Sequence, residues 1–306
     1  VKVLVADVVY RRELEPLPEG VELVSEPDPE VELMIFGPEL SLRGRDLFAK
    51  LPGLRVVQSL SAGVDSLLPL VPEGVTVCGA SGAHDIAVAE WIVAVLLATT
   101  RRLLDFYELQ RQAAWDSNAS NWIVTAPPLV GPIDDLEGAT VLIVGHGSIG
   151  RAVATCLAPL RANVVGVARR ARADAEPPEA LARLLPEADA VVLLVPLSAD
   201  TERMVDDRFL SQMKEGAILI NAARGKIVDT GALLDALHSG RIRAVLDVTD
   251  PEPLPPDHPL WKAPNVLITP HVAGGTSGWT PRAYRLAGEQ LRRYVAGEPL
   301  LNVFTR

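Results

Sequence analysis

The chain has 306 residues, 48% hydrophobic and 22% charged, with 29 Lys and Arg against 39 Asp and Glu for a net charge of −10 at pH 7. That length suits two domains rather than one, and the acidity argues against a general binder of phosphate backbones, so no nucleic-acid partner is expected. The two cysteines, Cys78 and Cys156, offer neither a disulfide framework nor metal-ligand spacing, and both read as buried free thiols.

In chain order, short β-like runs come first, at 1–6, 21–24, 31–36, 54–60 and 75–78, separated by turn-rich segments such as PLPEG and PDPE. The opening VKVLVAD lacks a charged segment followed by an apolar one, so no leader is expected. Strands joined by crossovers predict a small parallel α/β unit, and 41–51 is compatible with a helix. Residues 86–110 form one long helical pattern, almost apolar all round from 86 to 98, which predicts burial between domains or subunits. Its longest apolar stretch, 91–98, is well short of the ~20 residues of a membrane span. A soluble cytoplasmic protein with no membrane partner is expected.

After a Pro-rich loop at 125–132, a second series of apolar runs follows at 141–144, 164–167, 190–195, 217–220, 244–247 and 266–268. Strands interleaved with helices predict a doubly wound sheet. The last helix is expected to start with Thr280 as cap and Pro281 in its first turn, and to run to about Ala296. The two domains are placed at 1–85 with 280–306, and at 86–279, with the active site in the cleft between them.

The segment VLIVGHGSIG carries Gly145, Gly147 and Gly150 as G-x-G-x-x-G between a strand and a helix. Gly145 suits a tight turn, Gly147 close approach of a pyrophosphate, and Gly150 helix-on-strand packing. The helix N-terminus offers unpaired N–H groups to phosphate. The next strand ends VVGVARRAR, and no acidic residue stands where one would accept the ribose 2′-OH; Ala168 is there, followed by Arg169, Arg170 and Arg172. Arginines favour a 2′-phosphate through charge-assisted bonds, so NADP(H) is expected over NAD(H), with NAD(H) possible.

Three residues further on each follow an apolar strand: Arg224 in INAARG, Glu252 in DPEP and His271 in ITPHVAGG. A guanidinium can bond a carboxylate and an adjacent ketone oxygen in one plane. A carboxylate-backed His can donate or accept a proton. Downstream of a glycine loop, this order points to a nicotinamide-dependent oxidoreductase acting on a small keto acid.

With SLSAGVDSL (59–67), VAEWIVAVLLATTRRL (88–104), VPLSADT (195–201), INAARGKIVDTGALLDAL (220–237), LDVTDPEPLP (246–255) and NVLITPHVAGG (265–275), the sequence resembles the D-isomer-specific 2-hydroxyacid dehydrogenases over almost its whole length. The short chain, ARRAR and EPLPPDHPLW look most like the glyoxylate/hydroxypyruvate reductases of that family. The resemblance implies two doubly wound parallel-sheet α/β domains, a Rossmann nucleotide domain and a smaller flavodoxin-like substrate domain. It also implies a homodimer paired through the nucleotide domain, with helix 86–104 as the contact.

By position it implies Arg224, Glu252 and His271 as the catalytic set and Ser61, Ala62 and Gly63 as a backbone loop for the substrate carboxylate. Cofactor contacts carried over are Ser148, Ile149, Ala222, Ala223, Asp247 (near the nicotinamide amide) and the stretch 271–274, including Gly274. Thr249 stands where an aromatic residue commonly follows Asp-Val, and His146 where Leu or Tyr is more usual. His84, His146, His238 and His258 fit no catalytic motif and read as structural or exposed. Trp115, Trp122 and Trp279 could border the substrate cavity or serve packing. A nucleotide-sensing regulatory protein of corepressor type on the same fold is the alternative; formate oxidation is disfavoured, since Gln rather than Glu usually pairs with the His there.

Overall fold

The structure is a computed structural model in which residues 1–7, 9–37, 44–119 and 128–304 are described. The chain forms two compact units, Val1–Ala87 with Gly274–Arg306, and Val88–Ala273.

In the first unit, strands β1 (Lys2–Val5), β2 (Glu22–Val24), β3 (Val31–Phe36), β4 (Val56–Ser59) and β5 (Thr76–Cys78) pair in parallel in the order 2-1-3-4-5. Because alternate side chains of a strand point to opposite faces, Val3, Val5, Leu33 and Ile35 enter one buried cluster and Leu4 and Met34 the other. Helix α1 (Gly44–Ala49) brings Leu47 and Phe48 to the second cluster.

The second unit holds most of helix α2 (Asp85–Thr100), which is followed by α3 (Leu103–Arg111). The single helix expected over 86–110 is therefore two. Arg102 adopts a left-handed φ of 54° and its guanidinium binds the Pro132 carbonyl and Asp105, ending one helix and opening the next. Apolar periodicity continues through this break because it records which residues are buried rather than where the backbone turns. Within a single copy, Ala89, Ile92 and Leu96 of α2 are fully enclosed, and Glu90 and Ala94 are exposed.

The strands are β6 (Thr140–Val144), β7 (Asn163–Val167), β8 (Ala190–Leu193), β9 (Ile218–Asn221), β10 (Arg243–Leu246) and β11 (Val266–Ile268). All pair in parallel, in the order 11-10-9-8-6-7. Helix α4 (Ser148–Leu157) and α2 cover the face of Val141, Ile143 and Val192. The helices α6 (Asp207–Gln212) and α7 (Thr230–His238) cover the face of Leu142, Val144 and Leu193, after a single-turn α5 (Leu181–Leu184). Burial on both faces explains the near-continuous apolar runs in these strands.

On returning to the first unit, the chain forms helix α8 (Trp279–Ala296), whose Ala283, Tyr284, Ala287 and Leu291 pack on the β1–β3 face. Its N-cap is Gly278, without a side-chain cap, so the helix starts ahead of the Thr280 cap expected from sequence, with Pro281 still in its first turn. Strand β12 (Val303–Phe304) then adds to β5, antiparallel. Cys78 is buried, as expected, and burial pushes its thiol up to about 11. Cys156, in contrast, is exposed on α4. Among the described residues no helix is long and apolar enough to cross a membrane. Trp122 and residues 125–127 of the Pro-rich loop lie outside the described residues, as do 41–43.

Candidate active site

In the second unit the pairing register aligns Val167, Val144, Leu193, Asn221, Leu246 and Ile268 across the sheet. The residues that follow each strand, Ala168, Gly145, Leu194, Ala222, Asp247 and Thr269, thus leave along one edge. This is the carboxyl edge, where open parallel sheets bind ligands beside a switch in strand order. The switch lies at β6, whose successor β7 is on one side and β8 on the other.

The glycine loop fits a dinucleotide. Gly145 has φ 104°, and a Cβ there would stand 2.5 Å from the Leu194 carbonyl carbon and 2.6 Å from the Val195 nitrogen, so a side chain is excluded twice over. At Gly147 nothing comes closer than 3.9 Å, leaving open space above the loop. This glycine also caps α4 without a side-chain bond, and the first turn of α4, Ser148 to Gly150, holds no acidic residue. The N–H groups at such a helix N-terminus suit phosphate oxygens.

His146 fills a slot beneath this loop. A Cβ on Gly166 would lie 2.5 Å from its Cγ, and one on Gly150 3.1 Å from its Nδ1, so both glycines make room for the ring. Burial holds its imidazole below the usual range. Asp174, 3.7 Å from Nε2, opposes this, and Arg151 and Arg172 add to it. His146 thus takes up, in packing, the space between the loop and β7. After β7, Arg172 binds the His146 carbonyl and Asp174, so it serves the loop itself. Arg169 and Arg170 are exposed and bind no partner among the described residues.

After β9, the buried side chain of Asn221 shapes the next turn, with Nδ2 donating to the Arg224 carbonyl at 3.0 Å and Oδ1 accepting from the Ala223 N–H at 3.1 Å. Ala222 follows the strand directly and Ala223 is buried, while Arg224 is half-buried and its Nη1 donates to the Ala223 carbonyl at 2.7 Å. The turn lies hard against the β10 loop, where a Cβ on Gly225 would fall 1.9 Å from the Thr249 oxygen and 2.6 Å from the Asp250 nitrogen. Gly225→Ala must therefore push the two loops apart. We expect a fall in melting temperature of roughly 5–10 °C, measured by differential scanning fluorimetry, since overpacking costs about 1–3 kcal/mol in a unit of this size. An unchanged melting curve would contradict the close approach.

After β10 and β11, Glu252 and His271 meet directly, with Glu252 Oε1 2.6 Å from His271 Nδ1. Both side chains are partly exposed, and His271 Nε2 has no partner among the described residues. The carboxylate fixes the ring and directs Nε2 outward. His271 has a left-handed φ of 54°, a conformation costing about 1–2 kcal/mol outside glycine. It persists because Asp247 holds it from several sides. The Asp247 backbone oxygen accepts from the His271 N–H at 2.8 Å. Its buried carboxylate takes the Thr269 hydroxyl at 2.6 Å, the Val272 N–H at 2.8 Å and the Ala273 N–H at 2.9 Å.

In the first unit, the loop after β4 carries Ser61, Ala62 and Gly63. The Ser61 N–H is committed to Ser59 Oγ at 3.0 Å, and the Ser61 carbonyl accepts from the Ala80 N–H at 2.9 Å. The N–H groups of Ala62 and Gly63 donate to no acceptor among the described residues. Gly274, the first residue of the return to this unit, lies against His84.

Residues 93–273 match the model of the D-isomer specific 2-hydroxyacid dehydrogenase NAD binding domain. The chain is also 36% identical over 258 residues to a glyoxylate reductase of Thermofilum pendens, covering 81% of this chain and 74% of that protein. The chain belongs to the D-isomer specific 2-hydroxyacid dehydrogenases. As a dehydrogenase of this family it is an oxidoreductase, on two parallel-sheet α/β units with an NAD-binding Rossmann domain.

Two solved structures match almost the whole length of this chain. One, a D-isomer specific 2-hydroxyacid dehydrogenase from Xanthobacter autotrophicus in complex with NADPH and MES, has a TM-score of 0.82 at 30% identity and covers 100% of this chain and 98% of that one. The other is an NADPH-dependent glyoxylate/hydroxypyruvate reductase from Sinorhizobium meliloti in complex with NADP and sulfate. It has a TM-score of 0.81 at 25% identity, with 99% and 97% covered.

Within this dehydrogenase, sequence reasoning passed over Asn221, Gly225 and Thr269, which shape the turns rather than face solvent. Their signal lay in the motifs INAARG and ITPH, where each stands beside or within two residues of a candidate side chain. Trp115 is 89% exposed, which excludes a packing role for it within the described chain. Trp279 stacks on His84.

Proposed function

We propose that this dehydrogenase reduces small 2-keto acids of the glyoxylate or hydroxypyruvate type with NADPH, giving D-2-hydroxy acids. The observation that carries the reading is the Glu252–His271 pair, whose Nε2 has no partner among the described residues, at the sheet edge where Arg224 and the glycine loop also emerge. The names of the related glyoxylate reductases support the substrate class.

In this reading the substrate carboxylate binds the N–H groups of Ala62 and Gly63, which donate to no acceptor among the described residues, while Ser61 holds the loop. Arg224 bonds the carboxylate and the C2 oxygen together, orienting the acid and drawing charge from its carbonyl. When bound, the reduced nicotinamide supplies the hydride that C2 receives. His271 Nε2 gives a proton to the C2 oxygen as negative charge develops there, and in the reverse direction takes it back. Glu252 keeps Nδ1 engaged, so that the proton moves at Nε2. The first unit is thus the substrate domain and the second the nucleotide domain, with Gly145, Gly147 and the α4 N-terminus holding the pyrophosphate. Asp247 acts chiefly through its hold on the 269–273 loop. Half-exposed Leu103 and Leu104, at the end of the 86–104 segment, support pairing of two copies through the nucleotide domain.

NADPH preference rests on Arg169 and Arg170, whose exposed guanidinium groups are available to a 2′-phosphate. The double variant Arg169→Ala/Arg170→Ala is expected to raise KM for NADPH by about 10- to 100-fold, the loss of one charge-assisted hydrogen bond. KM for NADH should stay nearly constant. Initial rates of NADPH and NADH oxidation with glyoxylate, hydroxypyruvate, pyruvate and 2-oxobutyrate check both substrate and cofactor. Equal loss with the two cofactors would contradict the assignment, and absence of turnover with all four acids would contradict the substrate class.

A further inference from the structure

His84 belongs to none of the machinery described so far, yet each of its ring nitrogens faces a backbone carbonyl. Nε2 lies 3.2 Å from the Leu60 oxygen and Nδ1 3.4 Å from the Gly274 oxygen. One face of the ring stacks on Trp279, with centroids 5.0 Å apart and planes 25° from parallel. The residue before it is tied down as well, since Arg282 Nε donates to the Ala83 carbonyl at 2.9 Å. Gly274 permits the approach, because a Cβ there would stand 3.0 Å from Nδ1.

Leu60 immediately precedes the loop proposed to bind the substrate carboxylate. Its carbonyl and the Ser61 N–H share one rigid peptide plane. His84 holds the carbonyl end of that plane and Ser59 Oγ the N–H end. With both ends held this plane cannot rotate, and the next one, which carries the Ala62 N–H, is held through the Ser61 carbonyl by the Ala80 N–H, so the loop enters the Ala62–Gly63 turn from a fixed start. We propose that His84 is a positioning residue for this anion-binding loop, acting by donation from Nε2–H to the Leu60 carbonyl. The proposal rests on the reductase reading for its effect on KM, but not for its effect on the loop.

The two ring nitrogens can be tested separately, because a Gln amide reaches the position of Nε2 and an Asn amide that of Nδ1, and either can donate. Hydrogen exchange of the Ser61 and Ala80 amides, the two that are hydrogen-bonded at this loop, is followed at residue resolution by NMR in wild type, His84→Ala, His84→Gln and His84→Asn, alongside steady-state kinetics. In His84→Ala, exchange and KM for the keto acid should each rise about tenfold, the loss of one hydrogen bond that fixes uniform binding. The kcat and KM for NADPH should move less than about threefold. His84→Gln should restore both quantities and His84→Asn neither. Unchanged exchange in His84→Ala, or rescue by Asn as good as by Gln, would overturn the proposal. If exchange follows the expected pattern but the wild-type protein reduces no keto acid, the loop role stands and the reductase reading fails.

Discussion

Replacing His271 with Asn is expected to lower kcat by about 10²–10⁴-fold, the usual contribution of a positioned general acid. Asn is chosen because the backbone at 271 is left-handed, and Asn tolerates that conformation better than Ala or Leu. The Asp247 contacts to the flanking Thr269, Val272 and Ala273 need no side chain at 271 and should keep the loop in place. NADPH affinity and melting temperature should therefore hold while kcat collapses. Stopped-flow single-turnover rates with glyoxylate would separate the proton step from product release. A variant within tenfold of wild type would remove His271 from the chemistry.

Arg224→Gln should produce a loss of similar size by a different route. Two charge-assisted hydrogen bonds to a keto acid, at about 1.5–3 kcal/mol each, correspond to roughly 10²–10⁴-fold in kcat/KM. Gln keeps hydrogen-bonding capacity but neither the charge nor the planar fork. Arg224→Lys keeps charge as a point and should rescue only a small part of the loss. Asn221, which binds the backbone carbonyl of Arg224 rather than its guanidinium, should hold the turn in both variants. Retained kcat/KM in Arg224→Gln would mean that the carboxylate and ketone are bound elsewhere.

Much of this arrangement was legible in the chain because its causes are local. Apolar runs mark the parallel strands, and glycines at 145, 147 and 150 mark a backbone that must turn tightly and admit phosphate. The Arg224, Glu252 and His271 positions could be placed after their strands for the same reason. What stayed hidden depends on groups distant in sequence. Asp247 reads as a lone acid beside a cofactor until Thr269, Val272 and Ala273, more than twenty residues later, are seen to occupy its oxygens. His84 has no motif of its own, and its partners lie 24 and 190 residues away. The break at Arg102 and the two-residue strand β12 were missed because periodicity is blind to one left-handed residue and needs more than two residues to register an extended segment. Cys156 looked buried from its neighbours, although it falls on the exposed side of an amphipathic helix.

The proposed reaction is hydride transfer from NADPH to C2 of a small 2-keto acid. The most direct test is to supply NADPH deuterated at nicotinamide C4, in separate samples for each face, with glyoxylate or hydroxypyruvate, and to read the product by mass spectrometry and NMR. One deuterium is expected at C2 from one face only, with none in the presence of Arg224→Gln protein over the same interval. Reduction without deuterium at C2, or no reduction by a protein that binds NADPH, would contradict it.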